Sequence, residues 1–173
     1  MGTWGWGIME SDYAMDVECE ILDILGIELD YDESDEEKQA LLQKAMTPQK
    51  YKEVLDYIES IAPEYDHGFD KATAYQVFAT LIIENGLKVD PQVFQQIKDG
   101  CVQCPEYQSH VDVSDKSDFS ERVLGRLDAI GTLIKIANQY DTNGGHPQEI
   151  PFEGLISKIM KNTSGGLVNK TEY

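Results

Sequence analysis

Apolar residues recur at intervals of three and four along almost the whole chain, which is the spacing of one face of an α-helix. The alternation of strands with helices that a parallel sheet requires is missing. With 173 residues, of which 41% are hydrophobic, the chain has the size and the apolar content for one buried core. The pattern therefore predicts an all-α protein, mainly helical with about seven helices, and leaves room for minor short strands at residues 2–8 or 101–113.

Local signals place the ends of these helices. Residues that favour helix N-termini, two of them followed by proline at the first helical position, precede four of the predicted helices: Asp12, Ser34, Thr47-Pro48 and Asp90-Pro91. Gly26 and Gly86 are predicted to end the first and the fourth helix. A long helix is expected after Ser117, and a final helix from Pro151.

The same pattern contains no internal repeat and no sign of a second domain. We expect a single helical domain over residues 1–162, with an extended N-terminal arm over residues 1–9 and a flexible, polar C-terminal tail over residues 163–173. The arm carries Trp4 and Trp6 between glycines, and their indole rings are predicted to pack against the helical core.

Negative charge is concentrated at the N-terminus. The first 37 residues hold 13 acidic side chains and no Lys, Arg or His, whereas the whole chain has 32 acidic and 14 basic residues and a net charge of −18. Self-repulsion at this density opposes compaction. A positively charged partner would explain why it is kept. The residues predicted to bind that partner are Asp16, Glu20, Asp23, Asp30, Asp32, Glu33, Asp35, Glu36 and Glu37.

The acidic residues also have a simpler explanation, namely a solvated surface that keeps the protein soluble. In the first helix, Asp16, Glu20 and Asp23 follow each other at helical spacing on the side opposite the apolar residues, so they are predicted to face water. Both explanations remain open from the sequence.

Several classes of function are excluded by composition. An acidic chain is repelled by anionic lipids and by phosphate backbones, so we expect no membrane binding and no direct nucleic-acid binding. The sequence has neither an apolar run that could span a bilayer nor the pattern of a secretory signal. Its three cysteines do not make a disulfide framework. These features predict a cytoplasmic protein.

Cys101 and Cys104 form a CxxC pair, the spacing used in half of a structural zinc site or in a dithiol redox centre. His110 is the candidate third ligand, but no second CxxC or HxxxH pair follows. The pair is therefore interpreted as two reduced thiols, and no cofactor is predicted. No serine lies in a nucleophile elbow and no phosphate-binding loop occurs, so no catalytic residue is predicted either.

The start of the chain resembles a poorly characterised bacterial family, described only as a domain of unknown function. Its signature is a Met-Gly-x-Trp-Gly-x-Gly opening followed by an Asp-x-Ala-x-Asp element that enters the first helix. The matching residues here are Met1, Gly2, Trp4, Gly5, Gly7, Asp12, Ala14 and Asp16, with Trp6 where the family has a small or polar residue. Residues 72–99 are also similar in style to the family's central pair of helices. Related small acidic bacterial proteins resemble immunity proteins, which neutralise a toxin encoded beside them.

Charge and resemblance together lead to one expectation and two alternatives. The expectation is a non-enzymatic acidic protein that neutralises a basic partner, as an immunity protein or antitoxin does; the partner would be a toxin or a DNA-binding or defence protein. The first alternative is a phage-type nucleic-acid mimic that inhibits DNA-binding or defence proteins. The second is a small metalloprotein or enzyme that uses Cys101 and Cys104.

Overall fold

A computed structural model describes residues 7–9, 11–28, 34–61, 71–104, 107–108, 113, 115 and 119–150. Within these residues the chain forms six helices and no strand: α1 (Asp12–Leu25), α2 (Asp35–Ala45), α3 (Pro48–Glu59), α4 (Lys71–Glu84), α5 (Pro91–Cys101) and α6 (Glu121–Gln139). The predicted all-α fold is confirmed. The helix predicted from Pro151 and the boundary at residue 162 lie outside the described residues.

Helix α4 is the centre of the fold, because every one of its residues from Ala72 to Ile83 is buried. Helices α1, α3, α5 and α6 all contact it, and the described helices share one hydrophobic core. Because α4 is buried on all sides, its polar side chains are buried as well, and they form hydrogen bonds. Gln76 donates to the carbonyl of Cys101 at 2.8 Å and accepts from the Arg126 guanidinium at 2.6 Å.

Helices α4 and α5 approach closely at Gly100. A Cβ added to Gly100 would lie 2.3 Å from the ring of Tyr75, closer than any stable contact, so only glycine leaves room for this ring. Gly100 and Cys101 belong to α5, although the sequence left room for a short strand that starts at residue 101. The packing of Tyr75 on this turn explains why the helix continues.

Most of the predicted caps are confirmed. The side chains of Ser34, Thr47 and Asp90 each accept a hydrogen bond from a backbone N–H in the first turn of their helix. Gly26 and Gly86 both have positive φ, at 71° and 62°.

Two predicted helix starts are wrong. The N-cap of α1 is Ser11, not Asp12, because the Ser11 hydroxyl accepts from the N–H of Ala14 at 3.1 Å. The long helix starts after Ser120 and not after Ser117, and Ser120 accepts from the N–H of Val123. In both cases several residues of capping type stand close together, and the spacing of the apolar residues does not choose among them.

Candidate functional site

Helix α1 presents one face entirely to solvent. Six residues of this face are exposed, and each lies three or four positions from another of them, so they share one side of the helix. They are called the α1 acidic face below: Asp12, Met15, Asp16, Cys19, Glu20 and Asp23. Ala14, Val17 and Ile21 lie on the opposite side of the helix and are buried in the core. The prediction that Asp16, Glu20 and Asp23 face water is confirmed. The face is about 16 Å long, given a rise of about 1.5 Å per residue.

The carboxylates of this face repel one another. Asp16, Glu20 and Asp23 form no salt bridge with any described Lys or Arg, and α1 contains no basic residue. Asp23 also lies in the last turn, where the helix dipole favours cations. On the neighbouring helix α3, the pKa of the Tyr57 hydroxyl is raised, mainly by burial and further by Glu20 and Asp16. The face therefore opposes the folding of α1 when it is unpaired.

Met15 lies within the α1 acidic face. With 48% of its surface exposed, it is more exposed than any other large hydrophobic side chain in the described part of the chain. Methionine is flexible and polarisable, and it is enriched at protein–protein interfaces. An exposed methionine among carboxylates offers an apolar contact with charges around it.

The acidic residues of α2 lie apart from the α1 acidic face, because α2 contacts another side of α1. Helix α2 meets α1 where Lys38 approaches Glu18 at 3.9 Å. In the sequence Glu18 is two residues from both Asp16 and Glu20. Its side chain therefore lies about 200° around the helix axis from each of theirs. Asp35, Glu36 and Glu37 are exposed in the first turn of α2. The predicted partner-binding residues thus fall on two surfaces, and Asp30, Asp32 and Glu33 lie outside the described residues.

A polar cavity of about 450 Å³ opens at the end of α4. Asp35, Lys38, Glu84 and Glu149 line it together with Gln148 and other residues. Burial raises the pKa of the Glu84 carboxyl to about 6; the Ile150 N–H and Lys38 oppose this shift, whereas Glu18 and Glu149 add to it. Sequence reasoning missed Glu84 and Glu149, because no local pattern reveals that residues so far apart in the chain meet.

A second, mainly apolar cavity of about 520 Å³ lies beside the link between α4 and α5, where Met46, Tyr51, Val89 and Thr142 are among its lining residues. These residues come from separate turns of the chain, so the sequence pattern gives no sign of it.

The CxxC pair is buried. Cys101 is 0% exposed and Cys104 is 7% exposed, and all three cysteines are free. Burial raises the pKa of the Cys101 thiol well above its usual range. Since the thiolate is the form that reacts and binds metal, this environment disfavours both roles. His110 lies outside the described residues, within which no group of three or more potential metal ligands comes together.

The N-terminal signature is described only in part. Gly7 and Ile8 belong to the described residues, and Ile8 is part of the hydrophobic core with 3% of its surface exposed. Trp4, Gly5 and Trp6 lie outside them, so the predicted packing of the indole rings stays a prediction. None of the helices in the described part is long and apolar enough to cross a membrane.

Comparison with known proteins finds no family model, no curated protein and no solved structure that matches this chain. The function must therefore be argued from the geometry of its own residues.

Proposed function

We propose that this protein is a non-enzymatic binding protein, which uses the α1 acidic face to dock on a cationic surface of another protein and thereby neutralises it. An immunity protein or antitoxin is the concrete form of this proposal. The single observation that carries it is the exposed row of carboxylates around Met15, without a described basic residue to balance Asp16, Glu20 and Asp23.

The electrostatic cost of the face supports a role in binding. Like charges at intervals of three and four destabilise a helix by about 0.2–0.5 kcal/mol per pair. Charges dispersed over the surface would give the same solubility without this local repulsion. A partner with Lys and Arg opposite Asp16, Glu20 and Asp23 would turn the repulsion into attraction and would speed association.

The shape of the face indicates what kind of surface it would fit. Carboxylates about 16 Å apart at the ends of the row match a patch of basic residues on a protein. Met15 would enter an apolar recess within that patch, where its burial would lower the dissociation rate. A nuclease or another nucleic-acid-binding protein has such a basic surface for gripping phosphate.

Two features favour a single protein partner over general nucleic-acid mimicry. The described carboxylates of α1 and α2 lie on two surfaces separated by the Glu18–Lys38 pair, whereas a mimic needs one long face of regularly spaced charge. The exposed Met15 adds nothing to a phosphate-like surface, but it suits a protein interface.

The test compares two charge reversals of equal size. Asp16→Lys with Glu20→Lys alters the α1 acidic face, and Asp99→Lys with Glu121→Lys makes the same change at exposed positions of α5 and α6. The wild type and each variant are immobilised and incubated with a lysate of the source cells at low salt. The proteins that each one retains are then quantified by mass spectrometry. Binding of each purified candidate is then measured across ionic strength.

We expect one basic protein to be retained by the wild type and by the α5/α6 variant, and lost with the α1 variant. Its affinity for the wild type should fall as salt rises. Retention that is equal for both variants contradicts the proposal. Retention of many unrelated DNA-binding proteins, each displaced by duplex DNA, would support the mimic instead.

A further inference from the structure

Residues 140–150, called the strap below, run from the end of α6 back across the link between α4 and α5. The Tyr140 hydroxyl donates to the carbonyl of Leu87 at 2.6 Å. Three backbone hydrogen bonds then attach the strap, in order along it. The Val89 N–H donates to the carbonyl of Thr142 at 3.0 Å, the Gly145 N–H to the carbonyl of Gly86 at 2.8 Å, and the Gln148 N–H to the carbonyl of Ile83 at 3.0 Å. The strap thus follows one defined path over the end of α4.

Glycines allow the two backbones to touch. A Cβ added to Gly144 would lie 2.7 Å from the backbone nitrogen of Lys88, and one added to Gly86 would lie 2.9 Å from Pro147. Both glycines have positive φ, which other residues rarely adopt. The contact is therefore built into the chain at these positions.

The far end of the strap rests on Glu84. The Ile150 side chain is 1% exposed in the core, and its backbone N–H lies near enough to the Glu84 carboxyl to lower the pKa of that group. Glu149 of the strap faces the same carboxylate. Three further charged residues of neighbouring helices surround it, namely Glu18 of α1 and Asp35 and Lys38 of α2. Among the described residues, the surroundings of the Glu84 carboxyl thus contain three other carboxylates and one lysine.

We propose that the strap is a proton-sensitive latch, which is held closed on the end of α4 more firmly while Glu84 carries its proton and opens more often, from its Ile150 end, when Glu84 ionises. The latch lies apart from the α1 acidic face and does not depend on the proposed function.

The reason is the balance of interactions that the closed strap imposes on Glu84. In the closed form Gln148 and Glu149 of the strap line the same cavity as Glu84, and both the burial of the carboxyl and the charge of Glu149 disfavour its ionised form; the Ile150 N–H offsets them only in part. The pKa of about 6 expresses the net result. Because the closed form holds the proton more tightly than an open form in which Glu84 is hydrated, protons favour closure.

Hydrogen exchange of single amides tests the latch in the full-length protein. The Gln148 N–H reports on the strap, and the Phe78 N–H in the buried α4 reports on global unfolding. Between about pH 5 and about pH 7.5 we expect the Gln148 protection factor, corrected for the intrinsic exchange rate, to fall roughly three- to eightfold. Eightfold is the limit if the strap causes the whole shift of Glu84.

Two variants show which residue is responsible. Glu84→Gln mimics the protonated carboxyl, so it should keep Gln148 protected at both pH values. His146→Gln is the control, because it replaces an exposed residue of the strap and leaves Glu84 and Glu149 unchanged. The control should keep the full pH dependence of the wild type.

Three results would overturn the latch. The first is a pH dependence that persists in Glu84→Gln, and the second is its loss in His146→Gln. The third is Gln148 protection equal to that of Phe78, since the strap would then open only when the whole protein unfolds. If Glu84→Gln does not fold, the wild type still decides: Gln148 protection must fall between about pH 4.5 and the midpoint of the Glu84 carboxyl titration followed by NMR, and must be constant above that midpoint.

Discussion

Replacing Gly100 with alanine would place a methyl group in space that the Tyr75 ring occupies. The added Cβ would lie 2.3 Å from Cδ2 and 2.4 Å from Cγ of the ring. Since Cγ is the point of attachment, a small rotation of the ring does not relieve the contact. Tyr75 is also 5% exposed, and its hydroxyl donates to Glu59, so the ring has no free space to enter.

The expected cost of Gly100→Ala follows from two opposing effects. Overpacking of a core costs about 1–3 kcal/mol, and a contact at the base of a rigid ring belongs at the upper end. Alanine in place of a helical glycine raises the free energy of unfolding by about 0.5–1 kcal/mol. We therefore expect the free energy of unfolding to fall by about 2 kcal/mol, which lowers Tm by about 4–8 °C in a chain of this length.

Thermal and urea unfolding, followed by far-UV circular dichroism, measures this change. Gly131→Ala is the matched control, because Gly131 lies within α6 and a Cβ there meets nothing within 4 Å. This control should raise the free energy of unfolding by about 0.5–1 kcal/mol. Equal stabilisation by both substitutions would refute the close approach of α5 to Tyr75. In a Tyr75→Ala background, Gly100→Ala should lose most of its cost.

Three further predictions concern thiols, pH and charge. In the native protein a thiol reagent should modify Cys19 quickly and Cys101 and Cys104 only after unfolding, because the first is exposed and the other two are buried; rapid reaction of all three thiols would contradict the buried CxxC pair. Because the pKa of Glu84 is raised from 4.5 to about 6, its stabilising contribution is full below about pH 4.5 and is lost as the pH rises through 6. Since Glu84 is only partly buried, we expect a difference of about 1 kcal/mol between the wild type and Glu84→Gln over this range, measured by urea unfolding; parallel pH profiles would exclude this contribution. Finally, Asp23→Lys should stabilise the protein by about 0.5–1 kcal/mol at low ionic strength, because it places a cation at the C-terminal end of α1. If this gain in stability persists undiminished in high salt, its cause is not the helix dipole.

The local architecture was predictable from sequence because its causes are local. Ser34, Thr47 and Asp90 act as predicted caps, since a capping side chain bonds to an N–H only two or three residues away. Gly26 and Gly86 end helices because each tolerates a positive φ.

The solubility explanation and the binding explanation of the acidic residues remain distinct hypotheses, which the charge-reversal experiment separates.

Features that depend on distant parts of the chain were not predictable. Leu41 and Leu42 are adjacent apolar residues of α2, yet Leu41 is 38% exposed and Leu42 alone is buried in this helix. Gln76 is a polar residue, but it lies in the core and forms hydrogen bonds with groups on α5 and α6. Whether a side chain is covered depends on which helices pack on it, and one helix's periodicity does not contain that information.

The amino-acid sequence by itself determined that the chain is helical and that Asp16, Glu20 and Asp23 share the outer side of α1, because a period of 3.6 residues sorts side chains by face wherever the helix packs. Tertiary structure alone decided that α4 is enclosed, that Cys101 is buried while Cys19 is exposed, and that Glu84 lines a cavity together with residues of the strap. The physical reason is that desolvation and contact between charges are set by neighbours in space, which helix periodicity does not specify.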